Sequence, residues 1–277
     1  MKNRTYLVII VILVIIGIGL YLASSDVLSE IDNDNVTIAN DNFTFVVGIS
    51  DTVPPFTYEG ADGNYTGFDV ELAKEVCDRR GWHFVEKPIV WNEKNNEINS
   101  GNVDCVWASF TINGREDQYT WSEPYIDNKQ VVVVKSDSGI NSLSDLSGKV
   151  VEVLEGSSAE EFLNSNSTNL NSSFYKLVSM KSYREDFDDL DSSVCDAIVM
   201  NEQIAEYMIH ERGDDKYKIL RQELCSEQFG IGFKKGNTDL RDQVQETLNE
   251  MFYDGTVEKI AKHYSDYGIE DSIIYPE

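Results

Sequence analysis

"VDCVWASFTINGREDQYTWSEPY", residues 103–125, decides how the rest of the chain is read. Its first part, "VDCVWAS" (103–109), has the composition of a buried strand, and the Asn113-Gly114 pair after it marks a turn. Arg115 follows at once, between that glycine and the acidic pair Glu116 and Asp117, with Trp121, Pro124 and Tyr125 downstream. An arginine in this setting is either a solvated turn residue paired with a neighbouring carboxylate or a guanidinium held ready for an anion. The surrounding elements bear on which.

Upstream, "FTFVVGI" (43–49) reads as a strand, "GFDVELAKEVCDRRG" (67–81) as an amphipathic helix and "WHFVEK" (82–87) as a second strand. With residues 103–109 this is βαβ material. After "QVVVVK" (130–135) the theme restarts. "KVVEVLE" (149–155) is strand-like, and "SSAEEFLNS" (157–165) is helical, with Ser157 or Ser158 as N-cap and Glu160 or Glu161 three residues on. "SFYKLVS" (173–179) reads as a strand, "YREDFDDLDS" (183–192) as a helix and "CDAIVM" (195–200) as a strand; "NEQIAEYMIHERG" (201–213) is a helix closing at Gly213. A returning strand, "FGIGFKKG" (229–236), precedes two helices, "DLRDQVQETLNEMFYDG" (239–255) and "TVEKIAKHYSDYG" (256–268). Two α/β lobes are expected.

The chain has 277 residues, 41% hydrophobic and 26% charged, enough for two compact lobes. Its 49 acidic residues against 23 basic ones give a formal charge of −26. That balance argues against nucleic acid as a partner, because phosphate binding draws on clustered Lys and Arg. Lys2 and Arg4 precede an uncharged apolar run from Tyr6 to about Ala23, close to the roughly 20 residues that cross a bilayer. With the positive flank inside, residues 1–23 read as a membrane anchor or signal segment and the remainder as extracytoplasmic. Cleavage near "ASSD" (23–26) is the alternative. Residues 24–42, rich in Asp, Asn and Ser, read as a polar tether.

Sequons at Asn35, Asn42, Asn64, Asn166 and Asn171 fit an external location weakly in so Asn-rich a chain. Cys77, Cys105, Cys195 and Cys225 form an even set, which in an oxidising setting permits two disulfides, buried free thiols being the other reading. Their spacing fits no zinc pattern, and no metal or cofactor is expected.

"FVVGISDTVPPFTY", "GNYTGFDVELAKEVC", "SGNVDCVWASFTINGRED", "YTWSEPY", "LSDLSGKVVEVLEGSSAEEFL", "CDAIVMNEQIAEY" and "FGIGFKKGNTDLRDQVQETLNEMFYDGTVEKIAKHY" resemble, in that order and spacing, the polar amino-acid solute-binding proteins of ABC importers. The likeness covers about 43–267. It implies a two-lobed, type II clamp with two hinge strands: lobe 1 from 43–130, lobe 2 with the hinge strands from 131–228, and a return to lobe 1 over 229–277. It further implies a small amino acid or related carboxylate in the cleft between the lobes, hinge closure on it, and delivery to an ABC permease and its ATPase. Independently of any family, open parallel sheets place ligand sites at the carboxyl ends of their strands.

The resemblance aligns Arg115 with the arginine that grips the ligand's α-carboxylate, a contact a planar guanidinium makes through two parallel hydrogen bonds. Between Thr111 and Arg115 this chain is one residue shorter than the common pattern, which bears on the loop, while Arg115 keeps its distance to Trp121. Ser109 and Thr111, where the strand opens into the loop, resemble positions that bond the carboxylate and amino group. Ser157 and Ser158, at a helix start, are expected to offer amides to the carboxylate or simply to cap the helix. Asn201 stands where many relatives have the aspartate that receives the ammonium, so the charge-assisted part of that contact is missing. Asp51, and Glu202 after it, are candidates to supply negative charge instead. Trp91 aligns with an aromatic pocket position that can cover an aliphatic or cationic side chain; Val53 stands where an aromatic ring is common, and Phe56 and Trp107 read as core.

Within this two-lobe scheme one bridge per lobe leaves the hinge free, so the expected pairs are Cys77–Cys105 and Cys195–Cys225. Two other function classes remain. One is an enzyme on the same fold, since relatives include a dehydratase acting on a cyclic carboxylate; Glu155 or Glu202 would then be the general acid. The other is a sensor subunit signalling through a partner.

Overall fold

The computed structural model describes residues 43–165 and 169–276. The expected anchor, the tether and the sequons at Asn35, Asn42 and Asn166 lie outside the described residues, among which no helix is long and apolar enough to cross a membrane. Asn64 is exposed, and Asn171 is half-buried.

The first lobe starts with β1 (Thr44–Ile49) and a small meander, β2 (Thr52–Val53), β3 (Thr57–Glu59) and β4 (Tyr65–Thr66). α1 (Phe68–Arg80) follows, closed by Gly81, which takes the left-handed conformation as its C-cap. Gly67, at the start of α1, has φ of 122° and lies so close to the chain that a Cβ would sit 2.2 Å from the Phe56 carbonyl oxygen. Only glycine fits there. β5 (His83–Pro88), α2 (Lys94–Ser100), β6 (Cys105–Val106) and β7 (Thr120–Trp121) complete this part of the lobe.

β8 (Ile126–Lys135) is a ten-residue strand that leaves this lobe and enters the second. There β9 (Val150–Leu154), α3 (Ser158–Asn164), the short α4 (Leu170–Ser173), β10 (Lys176–Met180), α5 (Tyr183–Asp191), β11 (Ala197–Asn201), α6 (Glu202–Arg212) and β12 (Tyr217–Ile219) follow in turn. β13 (Cys225–Phe229) runs back antiparallel to the first half of β8, from Cys225 opposite Gln130 to Phe229 opposite Ile126. The chain returns to the first sheet as β14 (Gly232–Phe233) and ends in α7 (Thr238–Tyr253) and α8 (Thr256–Ala261).

The first sheet has the order β5-β1-β6-β14-β7, with β1 parallel to β5 and β6 and β14 antiparallel to its neighbours. The second has the order β10-β9-β11-β8-β12, with β13 also on β8; β9 is parallel to β10 and β11, and β8 is antiparallel to β11. Val131 to Val134 are all buried, because helices cover both faces of this sheet. Val131 and Val133 face the layer holding Phe187 and Ile204, while Val132 and Val134 face Ala159 and Leu163. That is how an uninterrupted apolar run, unlike an alternating one, is used. β8 and β13 are the two strands that join the lobes, and the carboxyl ends of β6, β9 and β11 open onto the space between them.

The expected disulfides are absent: all four cysteines are free thiols. Cys77 and Cys105 are fully buried neighbours in the first lobe's core. Cys195 and Cys225 are far apart, because β11 pairs Asn201 with Gln130 and β13 pairs Cys225 with the same Gln130. Cys195 therefore lies six positions further along the sheet, roughly 20 Å at about 3.3 Å per residue. A bridge requires Cα atoms within about 7 Å.

Candidate functional site

The question posed by Arg115 is answered by its burial. Thr111 is held in a β-bridge to Phe229, the turn closes with Arg115 N–H donating to the Ile112 carbonyl at 2.9 Å, and Trp121 Nε1 donates to the Arg115 carbonyl at 3.0 Å. Gly114, with φ of 80°, makes the turn possible. The side chain points away from Glu116 and Asp117 and is 2% exposed, inside the junction of the two lobes. Its guanidinium forms a salt bridge with Glu161, Nη2 to Oε1 at 2.9 Å, donates to the Gly156 carbonyl at 3.3 Å and to the Thr111 carbonyl at 3.4 Å, and lies 5.7 Å from the Phe110 ring centre. Glu161 and Gly156 belong to the second lobe, so the arginine bridges the cleft.

Around it lies a small cavity of about 20 Å³ lined by Val53, Trp91, Ala108, Ser109, Thr111, Arg115, Leu154, Ser157, Ser158, Tyr183 and Asn201. That is room for little more than one water. Of the residues expected at the site, the structure brings Arg115, Thr111, Ser109, Trp91, Ser157, Ser158 and Asn201 together here. Asp51 is a correction: it turns outward on the β2 side and lines the neighbouring groove with Tyr58, Arg184 and Tyr207. The second candidate for negative charge, Glu202, also lies elsewhere, 3.9 Å from Lys129 behind the hinge. Neither it nor Glu155 lines the cavity.

Ser109 is held in an unusual conformation, φ 45°, as its N–H donates to Asp69 Oδ2 at 2.7 Å. Asp69 is fully buried on α1 and also accepts from the Tyr125 hydroxyl; burial pushes its carboxyl up to about 7, against those hydrogen bonds. A non-glycine residue at positive φ is strained and persists where its surroundings enforce it. Ser157 is the N-cap of α3, its Oγ accepting from Glu160 N at 3.1 Å, while Glu160 Oε2 accepts from Gly156 N at 2.7 Å. The capping role expected for this pair is thus carried by Ser157. Ser158 Oγ instead faces Thr111 Oγ1 across the cleft at 3.2 Å. Asn201, 7% exposed at the junction of β11 and α6, accepts from the Tyr183 hydroxyl at 3.2 Å through Oδ1.

The cation that the Trp91 ring covers is the chain's own Lys94, whose Nζ is 4.9 Å from the ring centre. Burial and the nearby Arg115 push the Lys94 amine down to about 8, Glu161 opposing them. Trp91 Nε1 donates to the Gly156 carbonyl at 3.1 Å, and Lys94 Nζ approaches the same oxygen at 3.5 Å. Three groups of the first lobe thus converge on one carbonyl of the second. Gly156 has φ of 69°, and a Cβ there would fall 2.0 Å from Asn92 Oδ1, so the convergence depends on a glycine.

Sequence reasoning passed over Gly156, Lys94, Tyr183 and Glu227, and read Glu161 only as a helix-capping partner. Gly156 carried the one available signal, a glycine between the strand "KVVEVLE" and the N-cap Ser157.

Residues 45–267 match the bacterial extracellular solute-binding proteins, family 3. Among similar proteins, the L-cystine-binding protein TcyJ of Escherichia coli is 29% identical over 249 residues, covering 88% of this chain and 90% of its own length. The arginine-binding extracellular protein ArtP of Bacillus subtilis is 30% identical over 223 residues, covering 79% and 85%. A substrate-binding protein of an ABC uptake transporter from Streptococcus pneumoniae, solved with bound histidine, superposes with a TM-score of 0.77 at 26% identity over 82% of this chain and 93% of that one. An ancestral arginine-binding protein bound to arginine gives 0.73 at 33% identity over 80% and 97%. The hinge strands β8 and β13, the cleft between the two sheets and the matched residues together make this chain a member of the bacterial extracellular solute-binding proteins, family 3.

Proposed function

We propose that this protein captures an amino acid between its lobes outside the cytoplasm and delivers it to an ABC permease. The observation that carries the reading is Arg115, a guanidinium 2% exposed at the lobe junction. Burying a charge is costly unless it is paired. The only carboxylate in a salt bridge with it among the described residues is Glu161, which is 53% exposed and free to swing into solvent. A ligand carboxylate can take that place with two parallel hydrogen bonds. Ser109, Thr111, Ser158 and Asn201 then supply polar contacts, and Trp91, Val53 and Leu154 supply apolar walls. Relatives and neighbours named for cystine, histidine and arginine support an amino acid as the ligand class. The apolar run of residues 6–23 fits a tether to the outer face of the membrane, with secretion as the outcome if it is cleaved.

The test is a thermal-shift screen of the protein against the common amino acids and dicarboxylates, with Arg115→Ala as control. A ligand at a hundred times its Kd adds about 2.7 kcal/mol to stability. A raised midpoint with one or a few amino acids, lost in Arg115→Ala, is expected. A shift indifferent to Arg115 would place the site elsewhere.

A further inference from the structure

The cavity between the lobes is electrically one-sided. Its lining holds one cation, Arg115, and no carboxylate, since Asn201 is an amide and the other polar groups are hydroxyls and an indole. An amino acid brings an ammonium together with its carboxylate. Negative charge for that ammonium must therefore come from behind the lining.

Four carboxyl groups lie near enough to consider. Asp69 is bound by two donors, the Ser109 amide and the Tyr125 hydroxyl, and the amide has no lone pair to turn toward a cation. Asp186, behind Tyr183, is fully buried and both of its carboxyl oxygens lack a hydrogen-bond partner, so it has no bonded path to a lining residue. Glu161 is engaged at the carboxylate end of the cleft, on Arg115.

Glu227 is placed differently. It lies on β13, 5% exposed, and its Oε2 accepts from Thr111 Oγ1 at 3.0 Å, Asn128 Nδ2 at 3.1 Å and Gln130 Nε2 at 3.1 Å. None of these donors is charged, and no salt bridge reaches this side chain among the described residues. Thr111 lines the cavity. Its hydroxyl has one proton, and once that proton is donated to Glu227 the oxygen can only accept. Ser158 must then be the donor in its 3.2 Å contact with Thr111, and its own oxygen already accepts from Gln130 Nε2 at 3.3 Å. The hydrogen-bond chain has one direction, with its negative end at Glu227 and an acceptor oxygen presented to the cleft.

We propose that Glu227, acting through the Thr111 hydroxyl, is the residue that selects for the ligand's α-ammonium. This inference rests on the reading of the cleft as an amino-acid site. An ammonium hydrogen-bonded to Thr111 Oγ1 lies roughly 5 Å from the Glu227 carboxylate, two hydrogen-bond lengths away, in surroundings where charges are weakly screened. The arriving cation also offsets the cost of a buried carboxylate that has only neutral donors. Asn201 Oδ1 provides a second, neutral acceptor.

Titration calorimetry of the protein with L-arginine, L-histidine and L-cystine tests the assignment, using wild type, Glu227→Gln and the double variant Glu227→Gln with Asn201→Asp. Glutamine keeps the size of the side chain and an acceptor for Thr111 while removing the charge, and thermal midpoints verify folding. The amino acid that binds wild type is expected to bind Glu227→Gln about tenfold more weakly, the difference between a charge-assisted and a neutral contact. Asn201→Asp is expected to recover that loss by restoring a carboxylate beside the ammonium. The deaminated counterparts, guanidinopentanoate for arginine and imidazolepropionate for histidine, should bind Glu227→Gln no worse than wild type. Unchanged affinity in Glu227→Gln, an unrecovered loss, or an equal loss for the deaminated compound overturns the proposal and leaves Glu227 as a hinge residue only. A wild-type protein that binds none of the common amino acids in the thermal-shift screen overturns the amino-acid reading itself.

Discussion

Replacing Glu161 with glutamine is expected to tighten ligand binding, although it removes the only salt bridge across the cleft that Arg115 makes among the described residues. The reasoning is competitive. Arg115 has one guanidinium, and its Nη2 is paired with Glu161 Oε1 at 2.9 Å. A ligand carboxylate that takes both faces of the fork has to displace Glu161 first. Arg115 is 2% exposed and Glu161 53%, so the pair is screened on one side only. That places its worth near the top of the range for partly exposed pairs, about 1 kcal/mol. Removing the competitor returns that amount to the ligand, a gain of about fivefold in affinity. Without ligand the same change leaves Arg115 without its carboxylate, and the thermal midpoint should fall by about 2–4 °C. Calorimetry and a melting curve with and without ligand read both effects together. Tighter binding with a lower ligand-free midpoint is the expected signature. Weaker binding in Glu161→Gln would show that Glu161 stays in the complex as a ligand contact, and the displacement argument would be wrong.

Other perturbations test other parts of the structure. Burial pushes Asp69 and Glu152 up to about 7 and Asp186 up to about 8. Carboxyls raised in this way stabilise the fold fully below their unfolded values near 4, and the stabilisation is lost as pH rises through 7–8. The thermal midpoint should therefore fall between pH 5 and 8, and Asp186→Asn should flatten the fall; a midpoint that rises over this range refutes it. Lys94, pushed down to about 8, acts in the other sense only above that pH, where stability from this group rises as pH rises. Gly156→Ala should cost about 1–2 kcal/mol from the left-handed backbone alone and should also weaken binding, since Asn92 must move; an unchanged midpoint refutes the strain argument. Thiol titration without reductant should find four groups after unfolding and slow reaction before it, because burial pushes Cys77 and Cys225 up to about 12. Fewer than four would reveal a bridge.

The sequence by itself determined the local elements and the residues that converge on the cleft. The helices at 158–164, 183–191 and 202–212 lie within the stretches read as helical, because apolar spacing, the Ser157 cap and Gly213 are local signals. Strand positions were less legible: β10 begins at Lys176, after a short helix at Leu170–Ser173 that the apolar pattern of "SFYKLVS" does not show. The order of motifs also brought Arg115, Thr111, Ser109, Trp91, Ser157, Ser158 and Asn201 into view as candidate site residues, and they line one cavity. What the tertiary structure decided is how those residues are partnered. Trp91 meets the Gly156 carbonyl 65 residues away, and Thr111 meets Glu227 116 residues away. No periodicity encodes such pairs, since they arise from the packing of one lobe against the other. The same holds for Asp51, which lines the neighbouring groove and not the cavity, and for Cys195 and Cys225, separated by the register of two strands on β8. Register and lobe closure are properties of the assembled sheets, and only there does Arg115 acquire Glu161 as its carboxylate and a place out of water.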